Sequence, residues 1–320
     1  MSTDLLNVRV ERRTSEAEDI CSYELVSVDG SPLPAFSAGS HIDVHVGPEL
    51  VRQYSLCNPP HETHRYLIGV LRDPASRGGS LGMHENIRAG AALTISPPKN
   101  HFPLVEAKRS LLLAGGIGVT PLLAMAEALS AQGADFAMHY CARSPERAAF
   151  RERIAASRFA AQVQFHYDSG APQQKLDLAA LLTELDRETH IYFCGPGGFI
   201  DYVKATAAAH KWPEAQLHLE YFGAAAIDTG GDQAFDVKLS STGARYTVPA
   251  GVTVMQVLRD AGVFVAASCE QGVCGTCLTR VIDGVPDHRD LYLTEEEQAA
   301  NDQFTPCCSR SKSPTLVLDL

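Results

Sequence analysis

Ser268-Cys269-Glu270-Gln271-Gly272-Val273-Cys274-Gly275-Thr276-Cys277 sets three cysteines in a C-x4-C-x2-C pattern, with Cys307 beyond a longer insert. This is the plant-type spacing by which four thiolates hold a [2Fe–2S] cluster. Three ligands on one short loop wrap a small cluster, and the fourth must come from elsewhere in the fold. Gly272 and Gly275 let the loop take positive φ and turn backbone N–H groups toward the sulfurs. Zinc ribbons usually supply two C-x2-C pairs, and only one is present. A disulfide framework fits poorly with nine cysteines, an odd number, spread along the chain. Cys308 sits beside Cys307, so the residues alone leave the fourth ligand open between them.

The 320 residues allow two or three domains. An apolar fraction of 45% with 20% charged residues is that of an ordinary globular protein. The formal net charge of −11 argues against nucleic acid or an anionic membrane as partner. It suits a partner with a basic face. No apolar run reaches transmembrane length. Met1 to Leu6 carries neither a basic n-region nor an apolar h-region. A cytoplasmic location is the expectation.

From about residue 5 to 103, short alternating or β-branched runs (Val8–Arg12, Tyr23–Val28, His41–Val46, Tyr66–Val70) lie between turn signals, as in a small antiparallel barrel. Arg52-Gln53-Tyr54-Ser55 falls among them. Arg77-Gly78-Gly79-Ser80 opens a short helix, and glycines at a helix N-terminus form an anion site. Arg72 is a further basic candidate near a phosphate, or a solvated strand charge.

After Lys108 the pattern changes. Ser110–Ala114 is a continuous apolar run, as in a buried parallel strand. It leads into Gly115-Gly116-Ile117-Gly118-Val119-Thr120-Pro121, with Thr120 expected as N-cap and Pro121 as the first helical residue. Strand, glycine turn and helix in this order bind a dinucleotide. Strands at 136–141, 163–167 and 190–194, with helices between, predict a doubly wound α/β unit. The last strand ends in Cys194-Gly195-Pro196, on the carboxyl edge where such sheets bind ligands. Asp168 follows another strand; a carboxylate there accepts from a ribose hydroxyl and repels a 2′-phosphate, which favours NADH. Arg143 nearby points the other way.

Residues 226–232 read as a linker. A hairpin (235–239 with 245–248), a helix over 253–261, the cysteine loop, a strand at 278–282, a helix opening at Thr294 with a capping-box Glu297, and a final strand at 316–320 follow. The expected domains are 1–103, 104–225 and 233–320.

The barrel and nucleotide segments resemble the ferredoxin–NADP reductase superfamily, and 233–320 resembles a plant-type ferredoxin of the α+β, β-grasp class. The order of all three resembles the phthalate dioxygenase reductase family over nearly the whole chain. That resemblance implies FMN and NADH as partners of a [2Fe–2S] cluster. It implies Arg52, Gly79 and Ser80 at the flavin phosphate, Tyr54 on the ring and Ser55 near its reactive nitrogen. It places Gly115, Gly116, Gly118 and Thr120 at the dinucleotide, and Cys194, Gly195 and Pro196 at the nicotinamide. Phe222 would cover the flavin, with Tyr221 as the alternative, and Cys269, Cys274, Cys277 and Cys307 would be the ligands. The implied activity is electron transfer from NADH to a terminal Rieske-type oxygenase. An FAD-type or stand-alone reductase for another acceptor, or a redox-sensing iron–sulfur flavoprotein, are the alternatives. Residues 233–320 hold eleven acidic and seven basic side chains, a difference of −4. Glu270 and Glu295 to Glu297 are the expected contacts for a basic oxygenase face.

Overall fold

A computed structural model describes residues 5–47, 50–76, 78–223 and 229–320. Arg77, residues 224 and 225, and residues 226–228 of the expected linker lie outside the described residues. The chain divides into two compact units, Met1–Phe222 and Gly223–Leu320.

The first unit begins with β1 Leu6–Ala17, β2 Ile20–Ser27, β3 Ser40–Gly47, β4 Leu50–Ser55, β5 Tyr66–Leu71, α1 Gly79–Asn86, β6 Ala92–Ile95 and β7 Lys99–Asn100. Along β1, buried Val8 and Val10 alternate with exposed Arg9 and Glu11, the period of a strand with one face inward. The strands pair antiparallel in the order β4-β3-β6-β1-β2-β5, with β7 on β3. A bridge between Leu56 and Ile68 joins the two ends of that order and closes the barrel. Its core holds Tyr23, Ile42, Val44, Tyr66 and Ile68. The Tyr23 hydroxyl donates to the Met83 carbonyl at 2.8 Å and ties α1 to the barrel.

β8 Ser110–Gly115, α2 Val119–Gln132, β9 Phe136–Ala142, α3 Arg151–Ala155, β10 Val163–Tyr167, α4 Leu178–Glu184, β11 His190–Cys194, α5 Gly197–Ala209 and β12 Leu217–Glu220 follow. The five strands are parallel in the order β10-β9-β8-β11-β12. Every residue of central β8 is buried, as helices on both faces require. Thr120 is not the N-cap. A 3-10 turn over Gly116–Gly118 runs directly into α2, so Thr120 is already helical and its hydroxyl donates back to the Ile117 carbonyl at 3.0 Å. The barrel and this sheet share one apolar core. Ile20, Cys57, Leu67 and Phe102 pack with Leu122, Met125, Tyr140 and Phe150. The expected boundary near residue 103 therefore falls within one compact unit.

The second unit contains β13 Phe235–Leu239, β14 Arg245–Val248, α6 Val254–Asp260, β15 Thr279–Asp283, β16 Pro286–Asp287, α7 Glu295–Ala300, β17 Gln303–Phe304, β18 Arg310–Ser311 and β19 Thr315–Leu318. The main sheet runs β14-β13-β19-β15-β17, with β19 parallel to β13. Val254 and Leu258 of α6 pack on Val237, Phe304 and Leu316. Thr253 caps α6 by accepting from Gln256 N at 3.1 Å, and Thr294 with Glu297 closes a full capping box on α7. Asp232, expected as linker, belongs to this unit. Its side chain is 1% exposed, between Arg289 at 2.8 Å and Arg310 at 3.2 Å. Arg310 also donates to the carbonyls of Gln233, Pro249 and Val252 and lies over the Phe235 ring. No helix among the described residues is long and apolar enough to cross a membrane.

Arg310→Met leaves the Asp232 carboxylate and three carbonyls without this donor. Breaking a buried pair on one side costs about 3–5 kcal/mol. The second unit is expected to unfold at lower urea, while the far-UV signal of the first unit keeps its midpoint.

Candidate functional site

The carboxyl edge of the parallel sheet is built by contact between two backbones. A Cβ on Gly118 would fall on the carbonyl of Cys194 and the nitrogen of Gly195, and one on Gly195 would meet the Cα of Gly115 at 2.9 Å. Only glycine permits this approach, so the turn after β8 and the turn after β11 lie against each other at the N-terminus of α2. That is the arrangement that presents backbone N–H groups to a dinucleotide pyrophosphate. Pro196 precedes α5 as its N-cap. Asp168 is exposed directly after β10, with its N–H on the Ala142 carbonyl at 3.1 Å.

The barrel contributes from β4. A Cβ on Gly79 would fall on the Arg52 side chain, so Arg52 lies across the first residue of α1. Ser80 accepts from the Asp73 N–H at 3.2 Å. Arg52, Gly79 and Ser80 are thus together. Arg72 instead pairs with Glu85 at 3.5 Å near the far end of α1, half exposed. The Tyr54 hydroxyl is buried without a hydrogen-bond partner. An orphaned hydroxyl beside an arginine and a glycine helix start fits a bound phosphorylated group with acceptor oxygens, as a flavin mononucleotide supplies.

Ser55 and Cys194 meet through a residue that the sequence reading missed. Glu220 ends β12 and pairs in register with Cys194 on β11. Its Oε2 accepts from Ser55 Oγ at 3.3 Å, and its Oε1 lies 4.0 Å from His41 Nδ1. Burial pushes the Glu220 carboxyl up to about 8, against the lowering effect of the Ser55 bond. Burial first, and then the Glu220 charge, hold the Cys194 thiol well above its usual value. Cys194 is therefore a neutral thiol rather than a nucleophilic thiolate. The available signal was a lone Glu at the end of a strand, just before the aromatic pair Tyr221-Phe222. Tyr221 packs against the core of the sheet, whereas Phe222 is 42% exposed. Phe222 is the aromatic with a face to offer.

In the second unit the four expected thiols are buried, between 4% and 8% exposed. Cys269 and Cys274 hydrogen-bond to each other, and Cys277 and Cys307 form a second such pair. Two thiols per metal are what a binuclear cluster with four cysteine ligands takes. Cys308 also hydrogen-bonds to Cys307, shares a hydrogen bond with Thr305 Oγ1 at 3.1 Å, and lies against the loop, where a Cβ on Gly272 would strike its sulfur. Gly272 has φ of 72° and Gly275 of 66°, as the loop requires. The Gln271 N–H points to Cys269 Sγ at 3.3 Å. Glu270 is ion-paired to Arg259 at 2.7 Å, and Glu297 is bound in the α7 capping box.

Residues 237–312 match the 2Fe-2S iron-sulfur cluster binding domain, and residues 112–205 the oxidoreductase NAD-binding domain. Barrel, parallel sheet and thiolate loop together define a flavin- and nucleotide-dependent iron–sulfur reductase. The chain is 58% identical over 318 residues to the vanillate O-demethylase oxidoreductase of Pseudomonas putida, covering 99% of this chain and 100% of that protein. It is 39% identical over 317 residues to the phthalate dioxygenase reductase of Burkholderia cepacia, covering 98% and 97%. A solved structure of phthalate dioxygenase reductase, described as modular for electron transfer from pyridine nucleotides to [2Fe–2S], gives a TM-score of 0.79 at 39% identity over 99% of this chain and 98% of that one. An intact type IV self-sufficient cytochrome P450 monooxygenase gives a TM-score of 0.84 at 39% identity, over 99% of this chain but 41% of that one. The chain belongs to the phthalate dioxygenase reductase family.

Cys307→Ser is expected to abolish or cripple the visible iron–sulfur spectrum, and Cys308→Ser to retain it. The opposite outcome would move the fourth ligand to Cys308. A second expectation concerns pH. A carboxyl raised from 4.5 to about 8 in the folded state contributes stability below its unfolded value that is lost as pH climbs through the folded one. Glu220→Gln should flatten the fall in unfolding free energy between pH 5 and 9, read by urea denaturation at several pH values.

Proposed function

We propose that this protein is the NADH-dependent reductase component of a two-component Rieske-type oxygenase, with FMN as its flavin. When bound, the flavin accepts the hydride pair from NADH and the [2Fe–2S] cluster passes electrons on singly. The observation that carries this reading is the joining of Ser55, Cys194 and Glu220 at the meeting of the barrel with the nucleotide sheet.

Each part of the chain has a defined task. Residues 1–103 form the flavin-binding domain, 104–225 the nucleotide domain and 233–320 the cluster domain. Arg52, Gly79 and Ser80 hold the flavin phosphate and Tyr54 lies on its ring. Arg72, paired with Glu85, contributes general positive charge only. The Gly115–Gly118 turn and the start of α2 hold the pyrophosphate, with Thr120 shaping that turn through Ile117. Cys194, Gly195 and Pro196 line the nicotinamide. Asp168 accepts from the ribose hydroxyl and disfavours a 2′-phosphate. Phe222 covers the flavin face until nicotinamide takes its place. Ser55 and Glu220 hold a proton at the edge of the reacting ring. Cys269, Cys274, Cys277 and Cys307 ligate the cluster.

Potentials near −400 mV for plant-type clusters, against about −150 mV or above for Rieske centres, make delivery downhill. The similarity to vanillate O-demethylase oxidoreductase over the full chain supports an O-demethylating oxygenase as acceptor.

The deciding experiment is reconstitution with a purified vanillate-demethylating Rieske oxygenase. NADH oxidation should become coupled to loss of the aromatic methyl ether, NADPH should be far less efficient by kcat/KM, and the flavin released on denaturation should have the mass of FMN. NADH oxidation that reduces dyes but never supports the oxygenase would reassign the acceptor. No NADH-dependent reduction of any dye would overturn the reductase reading.

A further inference from the structure

The site above contains a polar chain that none of its assigned roles uses. His41 on β3 is 4% exposed and sits between Glu220 and the Gln53 amide. Gln53 Nε2 lies 3.0 Å from Asp43 Oδ1 and 3.2 Å from His41 Nε2. Lys99 Nζ holds the other oxygen of Asp43 at 2.6 Å.

The donor and acceptor chemistry of this chain is determinate. The Asp43 carboxylate, paired to Lys99, only accepts. It therefore draws the NH2 end of Gln53 rather than its carbonyl. The same NH2 has a second hydrogen, directed to His41 Nε2, which makes that nitrogen an acceptor. A neutral imidazole with an accepting Nε2 carries its proton on Nδ1. Nδ1 faces Glu220 Oε1.

We propose that His41 is a positioning residue for Glu220. Fixed by Asp43 and Gln53 as the Nδ1–H tautomer, it directs its N–H at Oε1, so the exchangeable proton of the carboxyl resides on Oε2, the oxygen that faces Ser55. At 4.0 Å the contact is an electrostatic bias and not a hydrogen bond. In a buried setting the field of an N–H dipole at that distance is poorly screened. A proton on Oε1 would face this N–H head-on, whereas one on Oε2 is donated to the Ser55 oxygen, the reverse of the bond from Ser55 that the ionised carboxylate accepts. The inference rests on the assignment of Ser55 and Glu220 to the flavin-facing site.

The groups around the pair are few. His41 faces Asp43 on its own strand, Gln53 on β4, Lys99 on β7, His101 beyond it with rings 5.5 Å apart, and Glu220 on β12. Glu220 faces Ser55 on β4, His41, and Cys194 on β11. Burial, with His101 and Lys99 adding to it against the pull of Asp43, lowers His41 to about 4, so the imidazole is neutral at working pH. Its titration does not intrude on that of Glu220.

The test reads the tautomer directly. In the full-length holoprotein labelled with 15N-histidine, the His41 signal is identified by its loss in His41→Asn, and its ring-nitrogen shifts report which nitrogen is protonated. Nδ1–H is expected in the wild type, and a shift of population toward Nε2–H in Gln53→Met. A wild-type Nε2–H tautomer would overturn the proposal, whatever NADH does to the flavin. The functional arm is the pH profile of flavin reduction by NADH in stopped flow. Asn offers an amide donor near the place of Nδ1 and should keep the profile. His41→Leu removes the donor and should move the limb belonging to Glu220 upward by half a pH unit or more, roughly a three-fold change in its ionisation constant. Coincident profiles for wild type, Asn and Leu would refute the positioning role. Failure of NADH to reduce the wild-type flavin would instead refute the assigned function, and the tautomer would still be decided by NMR.

Discussion

Gly118 touches the Cys194 carbonyl with no room for a β-carbon, and the site follows from that contact. It brings the start of α2 against the end of β11. The parallel register then sets Glu220 beside Cys194, and the shared core between barrel and sheet sets Ser55 against Glu220. Residues far apart in sequence converge because one glycine allows two backbones to meet. A larger residue at 118 would separate the strand ends and with them the dinucleotide turn from the barrel.

The convergence has an electrostatic consequence. Glu220 is mostly removed from water, with one weak hydrogen bond from Ser55 and no cation in contact among the described residues. An uncompensated buried carboxylate is costly, so the group keeps its proton to about pH 8. The cost in stability is what makes it useful. A carboxyl balanced near neutral pH both yields and takes a proton, which one paired with arginine would not. The contrast lies in the same protein: the Asp232 side chain, buried more completely still, is held by Arg289 and Arg310 and serves as a structural tie.

The sequence made the local motifs legible and left the long-range ones dark. Cys269, Cys274 and Cys277 are read from spacing because one short loop sets their geometry. The strand–turn–helix at 110–132 is read because apolar run, glycines and helix pattern are contiguous. The expected cap at Thr120 and first helical residue at Pro121 lie two positions beyond the observed Gly118 and Val119, because a 3-10 turn ahead of α2 is invisible to capping rules. Asp232 read as linker because its two arginine partners lie 57 and 78 residues away. His41 and Gln53 carry no local signature at all, and Glu220 only that of a lone Glu at a strand end before an aromatic pair. His41 and Asp43 lie two apart on β3, the spacing of one strand face, but a polar face of a barrel strand reads as solvent-facing until the fold shows Lys99 and Glu220 beside it.

The carboxylates of the second unit show how far net charge is from a docking surface. Residues 233–320 carry an excess of four acidic groups, and Glu270 with Glu295 to Glu297 are the contacts expected for a basic partner. Many of those groups are engaged within the fold: Glu270 with Arg259, Asp287 with Arg289, Asp319 with Arg280, and Glu297 in a helix cap. Paired charges are dipoles, and a dipole's field falls faster with distance than a monopole's. The long-range field of the unit therefore comes chiefly from exposed Asp260, Asp283, Glu295, Glu296, Glu297 and Asp302, because the Glu297 cap bonds to a backbone N–H and keeps its net charge. At physiological ionic strength such a field reaches about 8 Å. Glu270, although nearest the cluster in sequence, contributes little to approach from a distance. Its backbone φ of 53° and its ion pair with Arg259 make it a part of the loop's construction.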